Sequence, residues 1–218
     1  MIINKNGHDT VLFDFDGTVM DTNKLIIESW QHTFRTLEGR ERPLPEIIET
    51  FGEPLADTME KFFPDIPVDK SINIYRDYHY DKFEDLIELF PGMEKLLIRL
   101  KKENYKTGLV TSRLRPTTME GLNKYDIAKC FDVIVTMEDC TRHKPDPQPA
   151  QIALEKLSSL PARSMMLGDT MFDIKCANNA GVTSVLVAWA MAVSEEDIKG
   201  PDGPDYILTK AENLFDIL

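Results

Sequence analysis

The stretch TVLFDFDGT, residues 10–18, decides the fold of this protein. It begins as an uninterrupted apolar run and ends in two aspartates, a glycine and a threonine. Apolar runs without polar alternation are typical of strands that are covered on both faces. We therefore predict a buried strand over residues 10–15, with Asp14 and Asp16 at its carboxyl end.

The same strand pattern recurs along the chain, and helical patterns lie between its copies. Further strands are predicted over residues 106–111, 131–136, 164–168, 182–188 and 206–208. Helices are predicted over residues 92–104, 117–125, 149–157 and 173–180. Alternation of strand and helix predicts an α/β fold with a doubly wound parallel sheet of the Rossmann-like kind.

One long interval after the first strand breaks this alternation. Residues 19–85 show no convincing strand, and their apolar spacing predicts helices over 22–37, 45–51, 55–63 and 69–83. An interval of this length is too long for a loop between neighbouring elements. We predict two domains, an α/β core of residues 1–18 and 86–218 and an inserted helical domain of residues 19–85.

The composition excludes several classes of protein. The 218 residues carry 25 Lys and Arg against 37 Asp and Glu, a formal net charge of −12, and no basic run exceeds Lys101–Lys102. Nucleic acid is therefore not an expected partner. No apolar window reaches the ~20 residues of a membrane span or a signal-peptide pattern, so we expect no membrane partner and a cytoplasmic location. The three cysteines are widely spaced and predict no disulfide framework.

Chemically competent side chains follow several of the predicted strands. Parallel strands bring their carboxyl ends to one edge, where ligands bind in open α/β sheets. Asp14 and Asp16, at positions i and i+2, share one face there, and with Asp169 they form an oxygen-rich set suited to Mg²⁺. Lys144 and Thr111 would complement them by binding an anion, and a phosphoryl group is the anion that Mg²⁺ and lysine bind best.

Four ordered motifs carry a resemblance to a known family. They are DFDGT at residues 14–18, GLVTS at 108–112, KPDP at 144–147 and GDTMFD at 168–173. With these motifs the chain resembles the haloacid dehalogenase-like hydrolase superfamily, in the phosphatase subgroup with a helical cap inserted between the first two motifs. The resemblance implies a Mg²⁺-dependent phosphohydrolase acting through an aspartyl-phosphate intermediate.

The resemblance also implies roles for the acidic residues. Asp14 would be the nucleophile and a metal ligand, and Asp16 would be the general acid and base, with its backbone carbonyl on the metal. Asp169 would be the third metal ligand. Asp173 would support the metal shell or orient the lysine of the third motif.

The remaining motif residues are implied to bind the substrate. Thr111 and Lys144 would hold the phosphoryl oxygens and thereby take part in catalysis, and Ser112 would join them in substrate binding. The substrate implied is a small phosphorylated molecule. The sequence gives no indication of oligomeric state.

The sequence leaves the substrate open between pyrophosphate and a small phosphomonoester such as phosphoglycolate. Segments outside the core motifs, among them FGEPL at residues 51–55, are most similar to bacterial cytosolic inorganic pyrophosphatases. Phosphoglycolate phosphatases, or phosphatases of other small phosphomonoesters, are the next resemblance. In this family an acid at the position of Asp16 disfavours dehalogenases and phosphonatases. The FGEPL loop lacks the arginine with which phosphosugar mutases hold a second phosphate, although Arg76 could serve instead.

A switch protein without turnover is the alternative from another class. Receiver domains also gather acids, a threonine and a lysine around Mg²⁺ and are phosphorylated on aspartate. They lack the D-x-D-G-T motif and a helical insert after the first strand. An enzyme is therefore the expectation.

Overall fold

The computed structural model describes residues 7–218 and forms two compact units. One unit comprises the described residues up to Met20 together with Leu89–Leu218, and the other is Asp21–Glu88. The sequence prediction divides the chain at residues 18/19 and 85/86, and its first six residues lie outside the described part. The chain leaves the first unit after Met20, two residues beyond the DFDGT motif, and returns to it at Leu89.

The first unit is built on a parallel sheet. In chain order the eight strands are β1 Thr10–Phe13, β2 Met20–Asp21, β3 Glu88–Leu89, β4 Lys106–Val110, β5 Val133–Val135, β6 Ser164–Gly168, β7 Thr183–Val187 and β8 Tyr206–Leu208. Six of them form one sheet in the order β5-β4-β1-β6-β7-β8, with every neighbouring pair parallel. This confirms the predicted α/β fold class.

Strand β1 lies between β4 and β6, and this position explains its composition. Phe13 is in register with Leu109 of β4 and with Leu167 of β6. Val11, Leu12 and Phe13 are fully buried. An interior strand is covered on both faces, which is why residues 10–13 show no polar alternation.

The described residues also form ten α-helices and four single-turn 3₁₀ helices. The α-helices are α1 Asn23–Glu38, α2 Leu44–Ile48, α3 Leu55–Phe62, α4 Val68–Leu86, α5 Met93–Lys102, α6 Arg115–Lys124, α7 Gln148–Leu157, α8 Met171–Asn179, α9 Glu195–Lys199 and α10 Leu214–Ile217. The five-residue α9 and four-residue α10 were not predicted, because they are shorter than the window in which helical periodicity can be recognised. Helix α6 begins two residues earlier than predicted, with Pro116 in its first turn, where proline costs no backbone hydrogen bond.

The second unit consists of α1 to α4 around an aromatic interior. Trp30 of α1 stacks on Phe34, with ring centroids 5.7 Å apart, and meets Tyr75 of α4 edge-on at 5.1 Å. The Arg42 guanidinium lies 4.8 Å from the ring centroids of both Phe34 and Phe62. Aromatic packing of this kind gives the short inserted segment a core of its own.

None of the helices between residues 7 and 218 combines the length and the apolar character that crossing a membrane requires.

Candidate active site

Asp14 directly follows β1 and is held at the carboxyl edge of the sheet. Its N–H donates to the Leu167 carbonyl at 2.9 Å, and its side chain is buried. The chain then turns at Gly17, whose φ of +73° lies in the left-handed region. A Cβ on Gly17 would overlap the Asp169 carboxylate, so only glycine lets the first and fourth motifs approach this closely.

Hydrogen bonds to the start of α7 and to the end of α8 hold the loop that carries Lys144. The Gln148 side-chain oxygen accepts the N–H groups of Thr141 at 2.9 Å and Arg142 at 2.7 Å. Asn179, at the end of α8, donates its side-chain amide to the Pro145 carbonyl at 3.0 Å. These bonds fix the loop that presents Lys144.

Lys144 forms a buried double ion pair. Its Nζ lies 2.5 Å from Asp14 Oδ1 and 2.6 Å from Asp173 Oδ1, and only 5% of its side chain is exposed. Burial by itself lowers the pKa of a lysine, but the Asp14 and Asp173 carboxylates outweigh it and raise the pKa of Lys144. The ammonium group therefore stays charged beside Asp14.

A capping box presents Asp173 to the lysine. Asp173 Oδ2 accepts the Thr170 hydroxyl at 2.7 Å and the Thr170 N–H at 3.1 Å, at the start of α8. The other oxygen, Oδ1, receives Lys144. Because each carboxylate oxygen has its own donors, the start of α8 fixes both Asp173 and the lysine that pairs with it.

Three carboxylates gather beside the lysine with the spacing of a metal site. One oxygen from each of Asp14, Asp169 and Asp173 lies within 4.8 Å of the others, and all three residues are buried. Burial raises the pKa of Asp14 to about 7, against the opposing effect of Lys144, and it raises the pKa of Asp169 well above its ordinary range. Full ionisation of the three carboxylates would therefore require more positive charge than Lys144 alone supplies.

Thr111 and Ser112 follow β4, the strand next to β1. The Thr111 N–H donates to the Val135 carbonyl at 3.0 Å, and its buried hydroxyl accepts the Arg113 N–H at 3.1 Å. Ser112 is exposed. The predicted substrate-binding pair therefore follows a strand adjacent to β1, whereas Arg76 lies on α4 of the other unit.

Asp16 is engaged by an arginine to which the sequence assigned no role. Arg113 Nη2 donates to Asp16 Oδ1 at 2.8 Å, and Nε lies 3.2 Å from Oδ1 and 3.0 Å from Oδ2. The Arg113 side chain is 8% exposed and that of Asp16 is 28% exposed. The only sequence signal for this pair was the position of Arg113, two residues after Thr111 at a strand end.

Comparison with known proteins places this site in a family. The model of the haloacid dehalogenase-like hydrolases matches residues 11–187, which include all four motifs. A protein of Caldanaerobacter subterraneus, provisionally named pyrophosphatase PpaX, is 38% identical over 208 residues, 95% of this chain and 93% of its own length. The pyrophosphatase PpaX of Halalkalibacterium halodurans is 34% identical over 210 residues, 96% of each chain.

A solved structure supports the fold. The crystal structure of a protein from Lactobacillus plantarum, provisionally titled phosphoglycolate phosphatase, superposes with a TM-score of 0.84 at 24% identity, covering 97% of this chain and 99% of its own. At that identity the likeness concerns the fold alone. Together, the family match and the two relatives show that the chain belongs to the haloacid dehalogenase-like hydrolase family and is a phosphatase of that family.

Proposed function

We propose that this phosphatase hydrolyses inorganic pyrophosphate to phosphate, with Mg²⁺ as cofactor and Asp14 as the residue that is transiently phosphorylated. The observation that carries the proposal is the buried Lys144, held between Asp14 and Asp173 beside Asp169. The choice of pyrophosphate is supported by the printed names of relatives that are 34% and 38% identical over nearly the whole chain.

The donor set fits a divalent cation. Three buried carboxylates lie together, and only Asp14 and Asp173 contact the ammonium group of Lys144. Burial raises the pKa values of Asp14 and Asp169, so the cluster lacks the positive charge that its ionised form needs. Asp14, Asp169 and the backbone carbonyl of Asp16 would hold Mg²⁺, with Asp173 close enough to join or support them. The ion would supply positive charge opposite Lys144, where a phosphoryl group carries its negative charge.

The first step would transfer a phosphoryl group to Asp14. A carboxylate oxygen of Asp14 attacks phosphorus, and the bond to the bridging oxygen breaks as the new O–P bond forms. Asp16 passes a proton to the departing oxygen. Lys144 and the residues after β4, Thr111 and Ser112, bind the phosphoryl oxygens, and the ion pair to Lys144 keeps the Asp14 carboxylate oriented.

The second step would release the phosphate from Asp14. Asp16, now deprotonated, accepts a proton from a water molecule that attacks the phosphorus. The O–P bond to Asp14 breaks, phosphate departs, and both carboxyl groups return to their starting states. Two displacements at one aspartate replace a single difficult attack by water.

We also propose that the helical unit Asp21–Glu88 acts as the cap domain and the other unit as the catalytic core. The support is its place in the chain, between the DFDGT motif and the GLVTS motif. Selection of the small phosphorylated substrate would be the function of this cap. The cytoplasmic location stays a prediction from the sequence.

Mg²⁺ is expected to raise the Tm more at pH 8 than at pH 5. In the metal-free protein, burial holds the pKa of Asp14 at about 7 and that of Asp169 well above its ordinary value. The folded protein therefore binds more protons than the unfolded chain between about pH 4 and pH 7, and its stability falls as the pH rises through that window. A bound cation offsets this loss, because it favours the ionised carboxylates.

Thermal unfolding in MgCl₂ and in EDTA at both pH values measures this effect. The Asp169→Asn variant is the control, and its Mg²⁺-induced shift at pH 8 is expected to be smaller than that of the wild type. Equal shifts at pH 5 and pH 8 in the wild type would contradict the predicted metal site.

A comparison of substrates tests the proposed function. We expect kcat/KM for pyrophosphate to exceed that for phosphoglycolate, glucose phosphate and nucleoside monophosphates, in each case only with Mg²⁺ present. A higher kcat/KM for phosphoglycolate would assign the enzyme to the alternative substrate. Turnover of every substrate in EDTA at the rate seen with Mg²⁺ would refute the metal dependence.

A further inference from the structure

The clamp between Arg113 and Asp16 joins two loops that follow neighbouring strands. Asp16 lies beyond the end of β1 and Arg113 beyond the end of β4, and the two are 97 residues apart in the chain. Both oxygens of Asp16 accept from the guanidinium, at distances between 2.8 and 3.2 Å. A planar guanidinium with two donating nitrogens fixes the plane of a carboxylate as well as its position.

Arg113 is itself held from several directions. Its backbone N–H donates to the Thr111 hydroxyl. Its guanidinium lies 5.5 Å from the ring centroid of Phe15, which is fully buried. Its side chain is 8% exposed. A side chain with so little free space also restricts the orientation of the Asp16 carboxylate that it binds.

Asp16 has a particular need for such a partner. It is the most exposed of the four aspartates assigned to the site, and it lies close enough to Asp14 for its charge to raise the pKa of Asp14. A general acid must stay within about 2.6–3.2 Å of the oxygen that it serves. Repulsion from the buried carboxylates would otherwise favour orientations of Asp16 toward solvent.

We infer that Arg113 is a positioning residue, which holds the Asp16 carboxyl group where it can exchange a proton with the leaving group and with the attacking water. Oδ1 accepts from both guanidinium nitrogens, so it would keep this contact when Oδ2 carries the proton. The inference rests on the proposed function of Asp16 as general acid and base. Lysine cannot replace arginine in this role, because a single ammonium group does not fix the plane of a carboxylate.

The test compares two substrates that differ in their leaving groups. Phenyl phosphate needs a proton at the departing oxygen, whereas p-nitrophenyl phosphate departs readily without one. In R113K we expect kcat/KM for phenyl phosphate to fall about tenfold more than that for p-nitrophenyl phosphate, since general acid catalysis contributes about 10²–10⁴-fold and mispositioning removes part of it. R113Q is expected to show the same selective loss and provides a second variant should R113K fold poorly.

Two controls separate positioning from a structural effect. R115K alters an arginine two residues away that pairs with Asp139, and we expect its ratio of kcat/KM for the two substrates to equal that of the wild type. D16N should show the same selective loss as R113K, and the double variant D16N/R113K should lose no more than D16N alone.

The outcomes distinguish the inference from the function on which it rests. An unchanged substrate ratio in both Arg113 variants, or losses that multiply in the double variant, would overturn the role of Arg113 while leaving the phosphatase intact. A wild type that hydrolyses neither ester nor pyrophosphate would instead refute the proposed function, and with it this inference.

Discussion

Asp14→Asn is expected to reduce turnover of pyrophosphate by at least about 10⁴-fold, the scale on which removal of a nucleophile acts in other enzymes. An amide oxygen is a poor nucleophile, and the variant cannot form the phosphorylated intermediate. The fold should survive, because burial already disfavours the ionised form of Asp14 and because Lys144 keeps its second partner, Asp173. The measurements are kcat with Mg²⁺ and the Tm at pH 8, which should be no lower than that of the wild type.

The matched control for Asp14→Asn is Asp126→Asn. Asp126 also pairs with a lysine, Lys129, but its side chain is 83% exposed. Its removal should leave kcat unchanged, because exposed pairs contribute little and the residue is outside the site. More than a few per cent of wild-type turnover in Asp14→Asn would show that Asp14 is not the nucleophile.

Lys144→Met is expected to have the largest effect on stability. It leaves the buried carboxylates of Asp14 and Asp173 without their shared ammonium group, and breaking a buried ion pair by removing one partner costs about 3–5 kcal/mol. For a chain of this size, that corresponds to a fall in Tm of roughly 10 °C in metal-free buffer. Turnover should fall as well, because the substrate loses a cation and Asp14 loses its orientation.

Lys101→Met is the matched control for Lys144→Met. Lys101 also pairs with an aspartate, Asp132, but its side chain is 33% exposed. Its loss should lower the Tm by no more than about 4 °C, because a partly exposed pair contributes at most about 1 kcal/mol. Equal falls in Tm for the two variants would show that the buried network of Lys144 does not stabilise the fold.

The fold was largely predictable, because its decisive signals are local. A buried strand shows itself as a short apolar run, and the six predicted strands all occur in the sheet. The inserted segment was predicted to be helical because apolar residues such as Trp30 and Phe34 follow a helical period there. The strand pair β2 and β3 was missed, since two-residue strands leave no periodic signal.

The sequence predicted most residues of the candidate site but few of the contacts between them. The rule that parallel strands end at one edge brought Asp14, Lys144 and Asp169 together without coordinates. Asp173 could be placed only loosely by sequence, although the spacing from Thr170 is that of a capping box. The structure shows why it belongs in the centre, since one of its oxygens receives the Thr170 donors and the other receives Lys144.

The sequence by itself determined the parallel sheet, the helical insert and the set of residues at the strand ends, because each depends on periodicity or on spacing within one segment. The tertiary structure decided which of those residues touch. Lys144 lies 130 residues from Asp14, and Arg113 lies 97 residues from Asp16, so neither pair leaves a local trace in the chain. The raised pKa of Asp14 likewise follows from burial and from neighbours on other segments, which exist only once the sheet has formed.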